Sequence, residues 1–156
     1  MLEDEFKETL KFLYSELKDK CLTWVVIGST NLALQGIEVN PHDIDIITNP
    51  ENLKTMEKIF RDYVTKPIYK KPPLTKNGPE SYELKLSINN IEVQIIGEHE
   101  SDIYYSQIRK GNLVQVELDN IKVPCFALKS EAETYAKIGR EYKAKLIRDF
   151  FRQEKI

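Results

Sequence analysis

The first twenty residues have the apolar pattern of an amphipathic helix. Leu2, Phe6, Leu10, Leu13 and Leu17 recur at spacings of three and four residues, so they share one side of a helix. The positions between them are rich in charged residues, which suit the side that faces solvent. We therefore predict a helix over residues 2–20 that packs through its apolar side against the rest of the chain.

Two short apolar segments further along the chain predict strands, and each of them leads into a helix. The segments are "TWVVIG" at 23–28 and "DIDIIT" at 43–48, both rich in β-branched residues. The first runs into "STNLALQG", which offers polar residues to start a short helix and Gly36 to end it. The second runs into residues 49–64, which begin with Asn-Pro-Glu and continue with apolar residues on one side.

The remaining pattern predicts a loop, two hairpins and a helical tail. Residues 65–80 contain four prolines and four lysines, which favour an exposed loop or lid. Alternating strands meet at Asn89-Asn90 and again at Asp119-Asn120, and these dipeptides tolerate the positive φ of tight turns. Residues 129–154 read as two helices separated near Gly139.

These elements together predict an α+β fold. Strands and helices alternate first, strands then cluster, and the chain ends in helices, which points to a mixed sheet with helices packed on one face. A chain of 156 residues falls within the usual size of one domain. We expect a single domain over 1–156, with its core at 23–125 and a helical tail at 129–154.

Composition narrows the class of protein. The 23 basic and 25 acidic residues leave a formal charge of -2, and no long basic run is present, so general DNA binding is disfavoured. The charged start lacks the apolar run of a signal peptide, and no window has the length of a membrane span. We expect a cytoplasmic protein that does not bind membranes. Cys21 and Cys125 are far apart and predict buried thiols, without a disulfide or zinc site.

Two carboxylates in the second predicted strand suggest a metal site. Asp43 and Asp45 alternate with Ile44, so they project from the same face with their α-carbons about 6.5–7 Å apart. Such a pair repels unless a cation lies between the carboxylates, and Mg²⁺, or Mn²⁺ in its place, accepts them together with phosphate oxygens. A solvated, purely structural pair is the alternative for an isolated Asp-x-Asp motif.

Gly28 and Ser29, which end the first predicted strand, suggest a phosphate site beside this metal. A glycine there lets the backbone approach a ligand closely, and the start of the following helix favours an anion. Ser29 either donates a hydrogen bond to the ligand or merely caps the helix. A carboxylate-held metal beside a phosphate is the arrangement required for phosphoryl or nucleotidyl transfer.

The order of these motifs resembles the nucleotidyltransferase superfamily related to DNA polymerase β. The parts that match are "VVIGS" and "DIDI", and the likeness extends over most of the chain, from the leading helix through the hairpin near 82–97 to the tail. The resemblance implies an NTP substrate, Asp43 and Asp45 as metal ligands, and Gly28 and Ser29 as the residues that bind the phosphates.

The tail resembles the basic helical end of small bacterial and archaeal members of that superfamily. Lys137 and Arg140 occupy positions similar to its basic residues, which implies contacts with the nucleotide. A solvated helix face on which Glu133 pairs with Lys137 is the alternative for these two residues.

The chain departs from the superfamily at the third acidic position. Gln94 aligns with that position, and an amide can neither act as an anionic ligand nor accept a proton as a base. Glu92, two residues earlier and on the same face, is the first substitute, and Glu98 is a more distant one. His42, immediately before the Asp pair, is a further contact for substrate or phosphate.

Three functions remain open from the sequence. The first is a magnesium-dependent nucleotidyltransferase that moves an NMP group to a hydroxyl of a small molecule, a protein or an RNA end, with Glu92 as the base; a toxin of a toxin–antitoxin pair is one form of it. The second is a nucleotide-binding or regulatory protein that lost turnover together with the third acid. The third is a structural interaction module. No motif identifies the acceptor.

Overall fold

A computed structural model describes residues 2–154, and it contains a seven-stranded mixed sheet and six α-helices over that range. The strands are β1 (Val25–Ile27), β2 (Asp43–Thr48), β3 (Val64–Lys71), β4 (Ser81–Ile88), β5 (Ile91–Gly97), β6 (Leu113–Leu118) and β7 (Ile121–Phe126). The helices are α1 (Asp4–Leu17), α2 (Gly28–Leu34), α3 (Pro50–Ile59), α4 (Tyr105–Arg109), α5 (Leu128–Lys137) and α6 (Glu141–Glu154). Residues 1, 155 and 156 of the expected domain lie outside the described part.

The sheet has the order β3-β4-β5-β2-β1-β7-β6. Strand β2 pairs antiparallel with β1 and parallel with β5, and β1 pairs parallel with β7. The β4–β5 and β6–β7 hairpins are antiparallel, as is the pair formed by β4 and the edge strand β3. Strands β1 and β2 are therefore central, with neighbours on both edges, and the α+β prediction is confirmed.

The two faces of the sheet differ in chemistry. One face supplies apolar residues such as Val26, Ile44 and Ile46 to the largest core cluster, which also contains the apolar side of α1 and buried residues of α3. On the opposite face, Ile47 packs in a smaller cluster with residues of the segment 103–108. Because side chains alternate along a strand, Asp43 and Asp45 share this second face with Ile47.

The C-terminal helices add a third cluster beside the sheet. Tyr135 of α5 and Ile147 of α6 pack with Leu32 of α2, so the tail is joined to the helix that follows β1. Gly139, between α5 and α6, has φ of +83°, as expected for the residue that separates two helices. The predicted division of the tail near Gly139 is confirmed.

The residue types predict most of the turns and helix starts correctly. Asn89 and Asn90 have φ of 53° and 63°, and Asp119 has φ of 53°, which are the conformations that tight hairpins need. Asn49 caps α3 by accepting a hydrogen bond of 2.7 Å from the backbone N–H of Asn52. These short-range features follow from the residue types alone.

The first helix is shorter than the predicted 2–20. It ends at Leu17, the last residue of the apolar stripe, and a turn follows that includes Cys21 with φ of 53°. Cys21 is exposed, so the expectation that both thiols are buried is wrong for it and right for Cys125. The three residues after Leu17 are charged (Lys18, Asp19 and Lys20), so another helical turn would offer no apolar side chain to pack against the core.

The prediction of a loop over 65–80 is wrong for its first half. Residues 64–71 form β3, an edge strand in which Pro67 is exposed. The register of its pairing with β4 shifts at two places. A proline is tolerated at an edge because its missing N–H leaves no ladder bond unmade on the solvent side. Only residues 72–80 connect β3 to β4 without regular structure.

Sequence patterns did not reveal α4, which is held in place by a buried carboxylate. Glu98 is fully buried, and its Oε1 accepts hydrogen bonds from the backbone N–H groups of Tyr104 (3.1 Å) and Tyr105 (2.8 Å). Its Oε2 finds no hydrogen-bond partner within residues 2–154. Burial and the neighbouring Asp102 raise the pKa of Glu98 to about 8.

None of the helices within residues 2–154 combines the length and apolar character that crossing a membrane requires.

The raised pKa of Glu98 predicts a pH-dependent stability. The folded state retains the proton above the pKa of the unfolded chain, so this group's contribution is complete at low pH and is lost as the pH rises through about 8. Compared with Glu98→Gln, the wild type should lose free energy of unfolding between about pH 5 and 8, by up to about 1.4 kcal/mol per pH unit, and the difference should level off at higher pH. Urea unfolding of both proteins across that range measures the difference, and parallel pH profiles would contradict it.

Candidate active site

The end of β1 lies against the carboxylate of Asp45. Ile27 pairs with Asp45 across β1 and β2, and Gly28 follows with φ of +74°. A Cβ at Gly28 would lie 3.0 Å from Asp45 Oδ2, closer than ordinary van der Waals contact. Glycine is therefore required here for two reasons, the backbone conformation and the space that the carboxylate occupies.

The backbone N–H of Gly28 is bound by a carboxylate of the tail. Glu131 Oε1 accepts a hydrogen bond of 2.7 Å from this N–H and one of 3.1 Å from the side-chain amide of Asn31. Glu131 is fully buried, and burial raises its pKa to about 7. Gly28 therefore contributes space to the site, while its N–H fixes α5 against the end of β1.

Sequence reasoning did not identify Glu131. The residue lies within the buried side of α5, between Leu128 and Ala132, where an apolar residue is expected. An acidic residue inside an apolar stripe is the signal that could have indicated a buried partner.

Asp43 and Asp45 lie together at the floor of the site, but the two carboxylates differ in their environment. Asp45 Oδ1 is buried and has no hydrogen-bond partner in the described part of the chain. Burial, followed by the charge of Asp43, raises the pKa of Asp45 to about 7. Burial and the charge of Glu92 raise the pKa of Asp43 as well. Both carboxylates are therefore harder to ionise than in water, because they are buried and lie beside other acidic groups.

Strand β5 places Gln94 and Glu92 directly beside the aspartates. In the parallel register Asp45 pairs with Gln94 and Asp43 with Glu92. The amide of Gln94 donates to Glu92 Oε2 at 3.0 Å and lies 3.5 Å from Asp43 Oδ2. Lys85 of β4 lies 3.8 Å from Glu92 Oε1. Glu92 thus lies in a row of polar groups that leads away from the aspartates.

A cleft of about 320 Å³ opens above the aspartates. The predicted site residues that line it are Gly28, Ser29, His42, Asp43, Asp45, Gln94 and Arg140, whereas Glu92 is not among its lining residues. Its other lining residues are Ile27, Tyr104, Tyr135 and Lys143.

Arg140 and Lys143 supply positive charge on the side of the cleft formed by the tail. The charge of Lys143 lowers the pKa of Asp43, although burial raises this pKa by more. The ammonium of Lys143 therefore interacts electrostatically with the Asp43 carboxylate. Sequence reasoning missed Lys143, which follows Arg140 by three residues and lies in the first turn of α6. Lys137 is exposed at the end of α5 and is not among the residues that line the cleft.

Two other places in the molecule have a feature of a site, one a buried carboxylate and the other a larger cavity. Glu98 lies under α4 and does not line the cleft. A larger cavity of about 490 Å³ lies beside the start of β1, between Tyr14, Trp24 and Lys122. Its described lining includes no carboxylate, whereas the smaller cleft combines acids, cations and a buried orphan oxygen. We therefore regard the smaller cleft as the candidate active site.

Within residues 2–154 no group of three or more His, Cys, Asp or Glu has the arrangement of a metal site. A cation at the aspartates would have to complete its coordination with oxygens of water and of a bound ligand. That is the usual situation for Mg²⁺, which binds one or two carboxylates together with substrate phosphates.

A family comparison agrees with this geometry. A sequence profile of the aminoglycoside-2''-adenylyltransferase family matches residues 9–152, a span that includes Gly28, both aspartates and the cations of the cleft. The chain belongs to this family. It is therefore a nucleotidyltransferase, and the resemblance inferred from the Gly-Ser and Asp-x-Asp motifs is confirmed. No protein among the curated sequences matches the chain.

Solved structures support the same family. The chain is similar to TM1012 from Thermotoga maritima, described as a candidate nucleotidyltransferase, with 30% identity over 98% of this chain and 96% of that one and a TM-score of 0.76. It also shares the fold of ANT(2'')-Ia, solved in complex with adenylyl-2''-tobramycin. That likeness has 10% identity, covers 96% of this chain and 99% of the other, and gives a TM-score of 0.50.

The contact between Gly28 and Asp45 predicts a selective effect of Gly28→Ala. The added methyl group has to displace the Asp45 carboxylate in addition to adopting a positive φ, so binding of ATP with Mg²⁺ should weaken at least tenfold and the melting temperature should fall. Gly111→Ala is the matched control, since Gly111 has φ of +86° with open space around it. Equal losses in the two variants would show that only backbone strain matters. Calorimetric titration and thermal unfolding provide the measurements.

Proposed function

We propose that this chain transfers an NMP group from an NTP to a hydroxyl of a small molecule and that the reaction requires Mg²⁺, for which Mn²⁺ can substitute. The observation that supports the proposal best is the buried Oδ1 of Asp45, which has no hydrogen-bond partner within the described residues and lies at the floor of a cleft lined by cations. Burying such an oxygen without a partner costs stability unless a ligand satisfies it.

The donor set fits a divalent cation. Asp43 and Asp45 are hard oxygen ligands on one face of β2, and burial, followed by neighbouring acidic groups, raises the pKa of both. We assign these two aspartates as the residues that hold the cation. When bound, it would supply Lewis-acid stabilisation of the negative charge that develops on the phosphate oxygens.

The opposite wall of the cleft suits a triphosphate. Arg140 and Lys143 bring positive charge to the cleft from the tail, and Ser29, which follows Gly28, also lines it. An arginine can bind phosphate oxygens with two parallel hydrogen bonds, and a lysine acts as a point charge. These residues would orient the triphosphate with its α-phosphate over the aspartates.

Glu92 is our candidate for the general base. It is the carboxylate nearest to the aspartates on β5, and its side chain is 47% exposed, so it is open to an incoming acceptor. In the reaction the acceptor oxygen would form a bond to the α-phosphorus while the bond to pyrophosphate breaks, and the hydroxyl proton would pass to Glu92. Gln94 and Lys85 hold the Glu92 carboxylate in place through contacts of 3.0 and 3.8 Å.

A small-molecule acceptor is the class that the family name supports. The fold neighbour ANT(2'')-Ia is solved with an adenylylated small molecule, and the family model matches most of this chain. A nucleotide-binding protein without turnover is the second candidate, because Gln94, beside Asp45, is neutral where the superfamily has an acid.

The requirement for Asp45 can be tested directly. ATP with Mg²⁺ should raise the melting temperature of the wild type, and this shift should disappear in Asp45→Asn, in which half of the carboxylate pair is neutral. Label transfer from α-labelled NTP to a pool of hydroxyl compounds should fall by at least a hundredfold. Asp62→Asn, at an exposed position, is the control and should behave as the wild type. A wild type that no nucleotide stabilises would exclude both candidate functions.

The roles of Glu92 and Gln94 require a second pair of variants. Glu92→Gln should reduce kcat by about 10²- to 10⁴-fold, the usual contribution of general base catalysis, while nucleotide affinity stays within a few fold. Gln94→Glu restores an acid beside Asp45 and should increase the transfer rate. A wild-type rate in Glu92→Gln would show that the base assignment is wrong. Nucleotide binding without transfer in the wild type, followed by transfer in Gln94→Glu, would favour the binding protein.

A further inference from the structure

The surface on the far side of the aspartates from the nucleotide indicates which acceptor the site takes. This inference rests on the proposed function, in which Arg140 and Lys143 hold the triphosphate on the side of β1 and the tail. In phosphoryl transfer the attacking and leaving oxygens are roughly in line, so the acceptor has to approach from the opposite side. In the order of the sheet, that side of β2 is occupied by β5, β4 and β3.

A row of residues that pair across these strands runs outward from Asp45. Gln94 pairs with Asp45, Lys85 pairs with Gln94, and Lys66 pairs with Lys85. Residues directly opposite each other in neighbouring strands point to the same face of a sheet. The row that begins at the metal-binding face therefore continues through an amide to two lysines.

The acidic residues of this surface are already engaged by lysines. Glu83 is buried and lies 3.0 Å from Lys71. Glu92 lies 3.8 Å from Lys85. Lys66 forms no ion pair among the described residues, and its ammonium lies 3.8 Å from the centroid of the Tyr69 ring.

We infer that the acceptor is a hydroxyl compound that carries an anionic group, such as a sugar phosphate, and that a polycationic acceptor is disfavoured. Three lysines and two glutamates, each glutamate paired with a lysine, give this surface a net positive charge. We define the surface by Lys66, Lys71, Lys85, Glu83 and Glu92. A compound with several ammonium groups needs carboxylates that are free to pair with it, and like charges repel it otherwise. An anionic group can contact Lys66 and Lys85 without breaking a buried ion pair.

The inference assigns a specificity-determining role to Lys85. Lys85 pairs with Gln94 across β4 and β5, and its removal would also release Glu92 from its ion pair. Reversing the charge at this position should therefore exclude an anion and favour a cation at the same time. A general change in stability would affect acceptors of both charges in the same direction.

The test compares three acceptors in calorimetric titrations of the full chain. Glucose 6-phosphate, glucose and tobramycin are titrated in the presence of Mg²⁺ and a non-hydrolysable ATP analogue, and again without nucleotide. We expect glucose 6-phosphate to bind at least tenfold more tightly than glucose, with tobramycin the weakest. Lys85→Glu should weaken glucose 6-phosphate at least tenfold and strengthen tobramycin, and Lys66→Glu should act in the same direction. Lys58→Glu changes the net charge equally, but from an exposed position of α3 behind the sheet, and is the matched control.

Tighter binding of tobramycin than of glucose 6-phosphate would overturn the inference, as would an absence of glucose 6-phosphate binding or an order that Lys85→Glu and Lys66→Glu leave unchanged. The proposed function fails in a different way. If the proposed function is wrong, the ATP analogue will not bind, whatever the order of affinities for the three acceptors. The titrations without nucleotide keep the charge preference measurable in that case.

Discussion

The carboxylate of Asp45 is the constraint on which the rest of the site depends, because it is buried between the neighbouring strands of β2 and its Oδ1 has no hydrogen-bond partner among residues 2–154. Its burial raises its pKa to about 7, so the ligand-free site is electrostatically incomplete. Gly28 has to be glycine because the carboxylate occupies the space of a side chain. The cations of the cleft wall belong to the same arrangement, since they favour a ligand with negative charge beside the aspartates.

The opposite face of the sheet keeps the aspartates where they are. Ile44 and Ile46 are fully buried in the main core, so a slip of β2 by one residue would exchange two buried isoleucines for two carboxylates. Such an exchange is prohibitively unfavourable, which fixes the register of β2 against β1 and β5. Apolar packing on one face of β2 thus fixes the position of the two aspartates on the other face.

The features that the sequence predicts correctly are those determined by contacts of short range. The alternation of Asp43, Ile44 and Asp45 specifies their faces, and turn residues such as Asn89 specify the hairpins without any tertiary information. The contact between Gly28 and Glu131 joins residues 103 positions apart, and no local pattern encodes it. The edge strand β3 was missed because its pairing with β4 outweighs the local preference of Pro67.

The neutral Gln94 and the lysines beyond it limit the negative charge around the aspartates. An acid at Gln94 would add a third negative group beside Asp43 and Asp45, whose pKa values are already raised by burial and then by the charge of Glu92 on Asp43 and of Asp43 on Asp45. With an amide there, a smaller positive charge suffices to balance the site, and the amide is free to hold Glu92. The lysines that neutralise Glu83 and Glu92 follow the same principle, because they keep the face beyond the aspartates from becoming a continuous acidic surface.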